Sequence, residues 1–167
     1  MNKKIVLVLM TLFVCVLFFW SLGCNQGDSS LGGNTAAPDF SLQDTQGKIF
    51  KLSSQRGDPV IIFFGTTWCP ACRNEMPHYK SLYDKYASSG MKFLYIDINE
   101  SPTRVARFAK ENLFPYQVLV DTDGSVANNY SIIGVPTIIL VNKEGTIIGS
   151  SHRTSDLPLH RLFSANK

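Results

Sequence analysis

Cys69 and Cys72 are the residues of this 167-residue chain whose type and spacing could do chemistry. They close the stretch Phe63-Phe64-Gly65-Thr66-Thr67-Trp68-Cys69-Pro70-Ala71-Cys72, which follows the apolar run Val60 to Phe64 and a short turn. A helix is predicted to begin at the pair. The first helical turn offers unpaired N–H groups and the positive end of the macrodipole. Both favour a thiolate at Cys69, and the thiolate is the species that attacks a disulfide. The spacing lets Cys72 reach back within one turn and close a small ring. The pair therefore reads as a thiol–disulfide exchange device. The competing reading is a small structural disulfide, but a ring this tight stabilises little beside a bridge that closes a long loop.

The elements that must position this pair follow from periodicity. Phe40 to Leu42 and Ile49 to Leu52 alternate around Asp44-Thr45-Gln46-Gly47 and predict a hairpin, followed by a helical turn or loop over 53–57. Val60 to Phe64 is too apolar for a half-exposed strand and predicts a central one. Met76, Tyr79, Leu82, Tyr83 and Tyr86 set an apolar stripe on a helix from Ala71 to Ser89, ended by Gly90, with Pro77 expected to kink it. Strands are expected at Lys92–Ile98 and Tyr116–Val120, with a helix between them that opens on Ser101-Pro102. A short helical stretch over Ser125–Ser131 precedes a hairpin of Thr137–Val141 and Thr146–Gly149. A terminal helix over Asp156–Ala165 would pack through Leu157, Leu159 and Leu162. Strands alternating with helices, then a closing hairpin, predict one α/β three-layer sandwich.

Lys3 and Lys4 precede the nearly unbroken apolar run Ile5 to Trp20 and then Ser21-Leu22-Gly23-Cys24. A basic start, an apolar middle and a small residue before the break describe an export signal, and the run is also long enough for an uncleaved membrane helix. The segment resembles a bacterial lipoprotein box with Cys24 as the lipidated residue, although Ser21 stands where the usual Leu would be. Residues 1–24 are thus read as signal or anchor. Residues 25–36, rich in Gly, Ser and Asn, read as a flexible linker spanning on the order of 20 Å, and 37–167 as the folded domain. The chain is expected at the extracytoplasmic face of a bacterial membrane.

Export changes the meaning of the cysteines. Cys15 lies in the apolar segment and Cys24 at its end, so only Cys69 and Cys72 fall in the folded domain. One close pair is not a disulfide scaffold, and with His78, His152 and His160 at no paired-ligand spacing it offers no zinc site. Apart from Lys3 and Lys4, the 16 basic residues leave 14 against 13 acidic ones, a balance of +1 with no basic block. Nucleic acid is therefore not expected as a partner.

Trp68-Cys69-Pro70-Ala71-Cys72 after a buried strand, with Val135-Pro136-Thr137 before a later one, resembles the thioredoxin fold. Ala37-Pro38-Asp39-Phe40, the hairpin after it, Cys72 with Glu75-Met76-Pro77, and the extra helix and strand from Ser101 to Val120 resemble its exported, membrane-anchored TlpA/ResA-type branch, related to the AhpC/TSA redoxins. The resemblance implies a three-layer α/β/α sandwich with an N-terminal β-hairpin and a central αβ insertion. It implies that Cys69 is the exposed nucleophile and Cys72 the buried resolving thiol, joined as a redox-active disulfide with no other cofactor. It further implies a cis Pro136 facing the pair, Val135 backbone groups that meet substrate, and Trp68 shielding the thiolate. Glu75 would tune thiol acidity or partner contact, and Pro70-Ala71, lacking a histidine, would set a reducing potential. Implied partners are disulfide-containing envelope proteins, apocytochrome c among them, and a membrane protein that donates electrons. Two departures stand out. The buried aspartate of thioredoxin is Phe63 here, and its paired lysine is Phe93, so the usual proton acceptor for the resolving thiol is missing.

Other readings fit less well. A peroxiredoxin shares the opening and the fold but needs a proline where Ile62 stands, and a c-type haem site needs a histidine where Arg73 stands. A copper-delivering metallochaperone would use the two soft thiolates and further His or Met donors near Cys69, but Met76 and His78 follow the pair on the helix rather than facing it.

Overall fold

The computed structural model describes residues 35–163. The expected signal and lipidation at Cys24, the linker up to residue 34 and the last residues of the expected terminal helix lie outside that range. Among the described residues no helix is long and apolar enough to cross a membrane.

Eight strands form one sheet. They are β1 (Thr35–Ala36), β2 (Ser41–Asp44), β3 (Ile49–Lys51), β4 (Val60–Gly65), β5 (Lys92–Ile98), β6 (Gln117–Asp121), β7 (Thr137–Val141) and β8 (Thr146–Ser151). Their order across the sheet is β1-β8-β7-β4-β5-β6-β2-β3. β4, β5 and β6 run parallel, and the other neighbours pair antiparallel. The helices are α1 (Pro70–Tyr86), α2 (Pro102–Glu111), α3 (Ser125–Asn129) and α4 (His160–Phe163).

Every residue of β4 is buried because side chains leave a strand on alternate faces and both faces of this one are covered. Ile61 and Phe63 join α1 and α2 in one core, with Cys72, Met76, Tyr79, Val105 and Phe108. Val60, Ile62 and Phe64 face the other core, with α3 and the N-terminal segment through Phe40, Val126 and Tyr130. These two cores make the three layers that were expected. α1 is fastened to the sheet by a polar contact as well. The buried Tyr79 hydroxyl lies 2.9 Å from the carbonyls of both Ile61 and Leu94 and so bridges β4 and β5.

Two local expectations change, one at each end of the described residues. Thr35–Ala36, read as linker, pair with β8, and the Ala37 N–H donates to the Gly145 carbonyl at 2.9 Å. β8 is otherwise an open edge, and its backbone supplies bonds that no side-chain pattern announces. α2 opens as expected, with Ser101 at the N-cap and Pro102 in the first turn, although the Ser101 side chain makes no cap bond. The terminal helix is broken into a 3₁₀ turn over Thr154–Asp156 and the short α4, because Pro158 interrupts it. Leu157 is nonetheless buried, with Leu159 and Leu162 packed beside it.

Candidate active site

β4 ends at Gly65 and hands the chain to Thr66-Thr67-Trp68 and then to α1, so the first thiol arrives at the C-terminal edge of the parallel strands. Open α/β sheets place their sites at this edge. Cys69 is the N-cap of α1, and its Sγ accepts the Cys72 N–H at 3.1 Å. Pro70 occupies the first helical position, where the missing N–H costs nothing. Both cysteines are free thiols in this structure.

The Val135–Pro136 peptide is cis, and it lies against the pair. The Cys69 thiol donates to the Val135 carbonyl at 3.7 Å. Pro136 is buried and Val135 half-buried. His152, after β8, sets its Nδ1 2.6 Å from the Pro136 carbonyl. The chain therefore brings Cys69, Cys72, Val135 and Pro136 together from two separate segments.

Cys69 was expected to be exposed, yet only 5% of its surface is accessible, against none for Cys72. In the dithiol form its sulfur sits between the Val135 carbonyl and the Cys72 N–H. Burial, and then the hydrogen bond with Cys69, push the Cys72 thiol far above the usual range.

Trp68 is 62% exposed and so is no core aromatic. It lines a groove of about 410 Å³ with Val135, Ile132 and the fully exposed Ile133. Pro70 and Ala71 lie on the surface. Glu75, one turn beyond Cys72, is buried rather than solvated, and its Oε1 accepts the Thr154 N–H at 2.8 Å and the Thr154 hydroxyl at 2.5 Å. Its partners belong to the turn after β8, and no bond joins it to either cysteine. Met76 lies in the same buried cluster as the two cysteines, whereas His78 is exposed. Phe63 fills the place of the missing aspartate as a wholly buried ring, stacked on Tyr95 at 5.3 Å.

A second set of polar groups was not expected. The Thr67 N–H and hydroxyl donate to the two carboxyl oxygens of the buried Glu100, at 2.6 and 2.7 Å, and Arg104 pairs with Glu100 at 3.1 Å. Arg73 donates twice to the Thr67 carbonyl, at 3.1 and 2.7 Å. Thr67 is thus held from both sides, which fixes the loop that carries Cys69. Asp97, in register with Gly65 at the end of β4, is wholly buried. One signal in the sequence could have pointed to it: a carboxylate near the C-terminal end of the otherwise apolar strand Phe93 to Ile98.

The fold and site define a thioredoxin-like thiol–disulfide oxidoreductase. The AhpC/TSA family model matches residues 34–150, and the chain belongs to that family. It is 34% identical over 122 residues to the thiol-disulfide oxidoreductase ResA of Bacillus subtilis, covering 73% of this chain and 68% of the relative. Among solved structures it is similar to the thioredoxin domain of a thiol-disulfide oxidoreductase from Bacteroides vulgatus, with TM-score 0.71, 25% identity, and 79% and 96% of the two chains covered. It is also similar to a thioredoxin-family thiol:disulfide interchange protein from Chlorobium tepidum, with TM-score 0.64, 30% identity and 72% and 86% covered.

Proposed function

We propose that the protein is exported, tethered to the extracytoplasmic face of a bacterial membrane, and reduces disulfides of envelope proteins through Cys69 and Cys72. The observation that carries this reading is the cap geometry. Cys69 Sγ takes an N–H from the first turn of α1 while facing the Val135 carbonyl beside the cis Pro136.

In the forward direction the Cys69 thiolate attacks a substrate sulfur and expels the other substrate sulfur as a thiolate. Cys72 then gives up its proton and attacks Cys69 Sγ. The substrate leaves reduced and the Cys69–Cys72 disulfide remains. A substrate segment that displaces the Cys69 thiol from the Val135 carbonyl could pair with that backbone, while Trp68 and Ile133 offer apolar contact beside it. Pro70 and Ala71 shape the exposed rim, and Glu75 holds the turn after β8 against α1. A membrane dithiol protein would restore the reduced pair. Disulfides of apocytochrome c are within the substrate class, and Cys24 is the lipid attachment point if the signal is processed.

Insulin reduction by the full chain in detergent tests this. Cys69→Ser should abolish turnover, and Cys72→Ser should accumulate a mixed disulfide with substrate. Full turnover in Cys69→Ser would refute the reading. Copper held at one equivalent by a chain without turnover would favour delivery of metal instead.

A further inference from the structure

Three consecutive carbonyls, those of Gly134, Val135 and Pro136, lead into β7, and each meets a different side chain. The Thr137 hydroxyl donates to the Gly134 oxygen at 2.7 Å, and the Cys69 thiol donates to the Val135 oxygen at 3.7 Å. His152 Nδ1 lies 2.6 Å from the Pro136 oxygen. A carbonyl can only accept, so Nδ1 carries a hydrogen and donates it. That hydrogen stays in place when the second ring nitrogen gains a proton, so the bond persists in both states of the ring.

His152 stands where the ladder between β7 and β8 stops. The last paired residues there are Ile138 and Ser151. Two steps further, the same register would set Arg153 opposite Pro136, but the Arg153 N–H turns instead to the Ser151 hydroxyl at 3.1 Å. The Pro136 carbonyl belongs to a buried residue and needs a donor. The His152 side chain supplies it and so carries the sheet one rung further, up to the segment that faces Cys69.

That rung bears on the Val135 carbonyl through a stiff link. Between the two carbonyls lie a planar peptide and a proline ring that fixes φ, so the bond from the Pro136 Cα to its carbonyl carbon is the one soft torsion. Holding the Pro136 oxygen sets that torsion, and with it the direction of the Val135 carbonyl. Two of the three bonds are then permanent. The third uses a thiol whose hydrogen is lost whenever Cys69 becomes a thiolate or joins another sulfur.

We propose that His152 is a positioning residue for the backbone of protein substrates. It acts through Pro136, aiming the Val135 carbonyl so that an N–H of the substrate segment finds its acceptor already in place. The proposal rests on the reading above, in which that segment replaces the Cys69 thiol at Val135. An acceptor set before binding lowers the ordering cost that the complex would otherwise carry. A small disulfide without peptide groups gains nothing from it.

Two probes separate these cases on the reduced full chain in detergent: a short cysteine peptide bearing thionitrobenzoate on its sulfur, and dithiobis-nitrobenzoate, which has no peptide group. In each, the Cys69 thiolate forms the new sulfur–sulfur bond and thionitrobenzoate leaves with the electron pair, so one colour reports one step. His152→Leu should slow the peptide by roughly three- to tenfold, the worth of about one hydrogen bond, and dithiobis-nitrobenzoate by no more than about twofold. His152→Asn should regain most of the peptide rate, because its amide N–H stands as many bonds from Cβ as Nδ1 does. His152 is exposed, so neither variant opens a core. A His152→Leu chain that reacts with the peptide at the parent rate would overturn the proposal. Equal losses with both probes would do the same, since a merely structural role slows them alike. The same peptide methylated on its backbone nitrogens tests the reading beneath. If the parent reacts equally with both peptides, no segment pairs at Val135 and that reading falls. If the parent distinguishes them and His152→Leu distinguishes them equally well, the positioning role alone falls.

Discussion

A carboxyl that keeps its proton inside a fold makes that fold depend on pH, and Asp97 is such a group. Unfolded, it titrates near 3.8; folded, near 8. Between those values the folded state holds a proton that the unfolded state has released, so stability falls as pH rises through the window. Asp97→Asn removes the dependence. The variant should be more stable than the parent at about pH 8, by roughly 5 kcal/mol, with the gap closing toward pH 4. Urea melts at several pH values check this, and a constant gap across the range would contradict it. At this scale the chain was partly legible. Cys69, Cys72 and Pro136 are readable because their chemistry needs those residue types at that spacing. The burial and bonding of Glu75 and Glu100 are not, because a lone acidic residue reads as solvated until a fold shows what covers it. Here Thr154 binds Glu75 from 79 residues away, and Thr67 binds Glu100 from 33.

Elements with strong periodic signals came out as expected, and those defined by a partner did not. β5 and β7 match the expected spans residue for residue, since largely apolar runs bounded by polar turns leave little choice. β1 was invisible because two residues carry no period, and the break before α4 was missed because Leu157, Leu159 and Leu162 mimic a helical stripe across Pro158. The junction of β4 with the loop depends on one close approach. A methyl group on Gly65 would stand 2.6 Å from the Tyr95 hydroxyl and 3.0 Å from the rim of Phe63. Gly65→Ala should therefore destabilise the fold by about 1–3 kcal/mol. Removing the hydroxyl in Gly65→Ala with Tyr95→Phe should restore part of that loss, since contact with the ring remains. Thermal melts of the single and double variants check the coupling, and strict additivity would show that Tyr95 is not what Gly65 accommodates.

The molecule as a whole is a sheet with helices on both sides that spends its conformational order on one edge. There the C-terminal ends of β4 and β5, the start of α1 and the turn before β7 converge on two sulfurs. The layer order was readable from alternating strands and helices. The place of the N-terminal hairpin was not: β2 joins the far edge beside β6 through Gln43 and Val120, a pairing set by tertiary contact rather than by local pattern. Exchange of electrons between those sulfurs and a partner is what the architecture has to serve. The reduction potential of the Cys69–Cys72 pair, measured by equilibrating the full chain with thiol–disulfide buffers, tests that most directly. The account predicts a reversible two-electron couple in the reducing half of the range from about −270 to −120 mV that thioredoxin-like proteins span. A pair that stays locked against dithiothreitol in the folded chain, or that never closes under oxidising buffer, would contradict it.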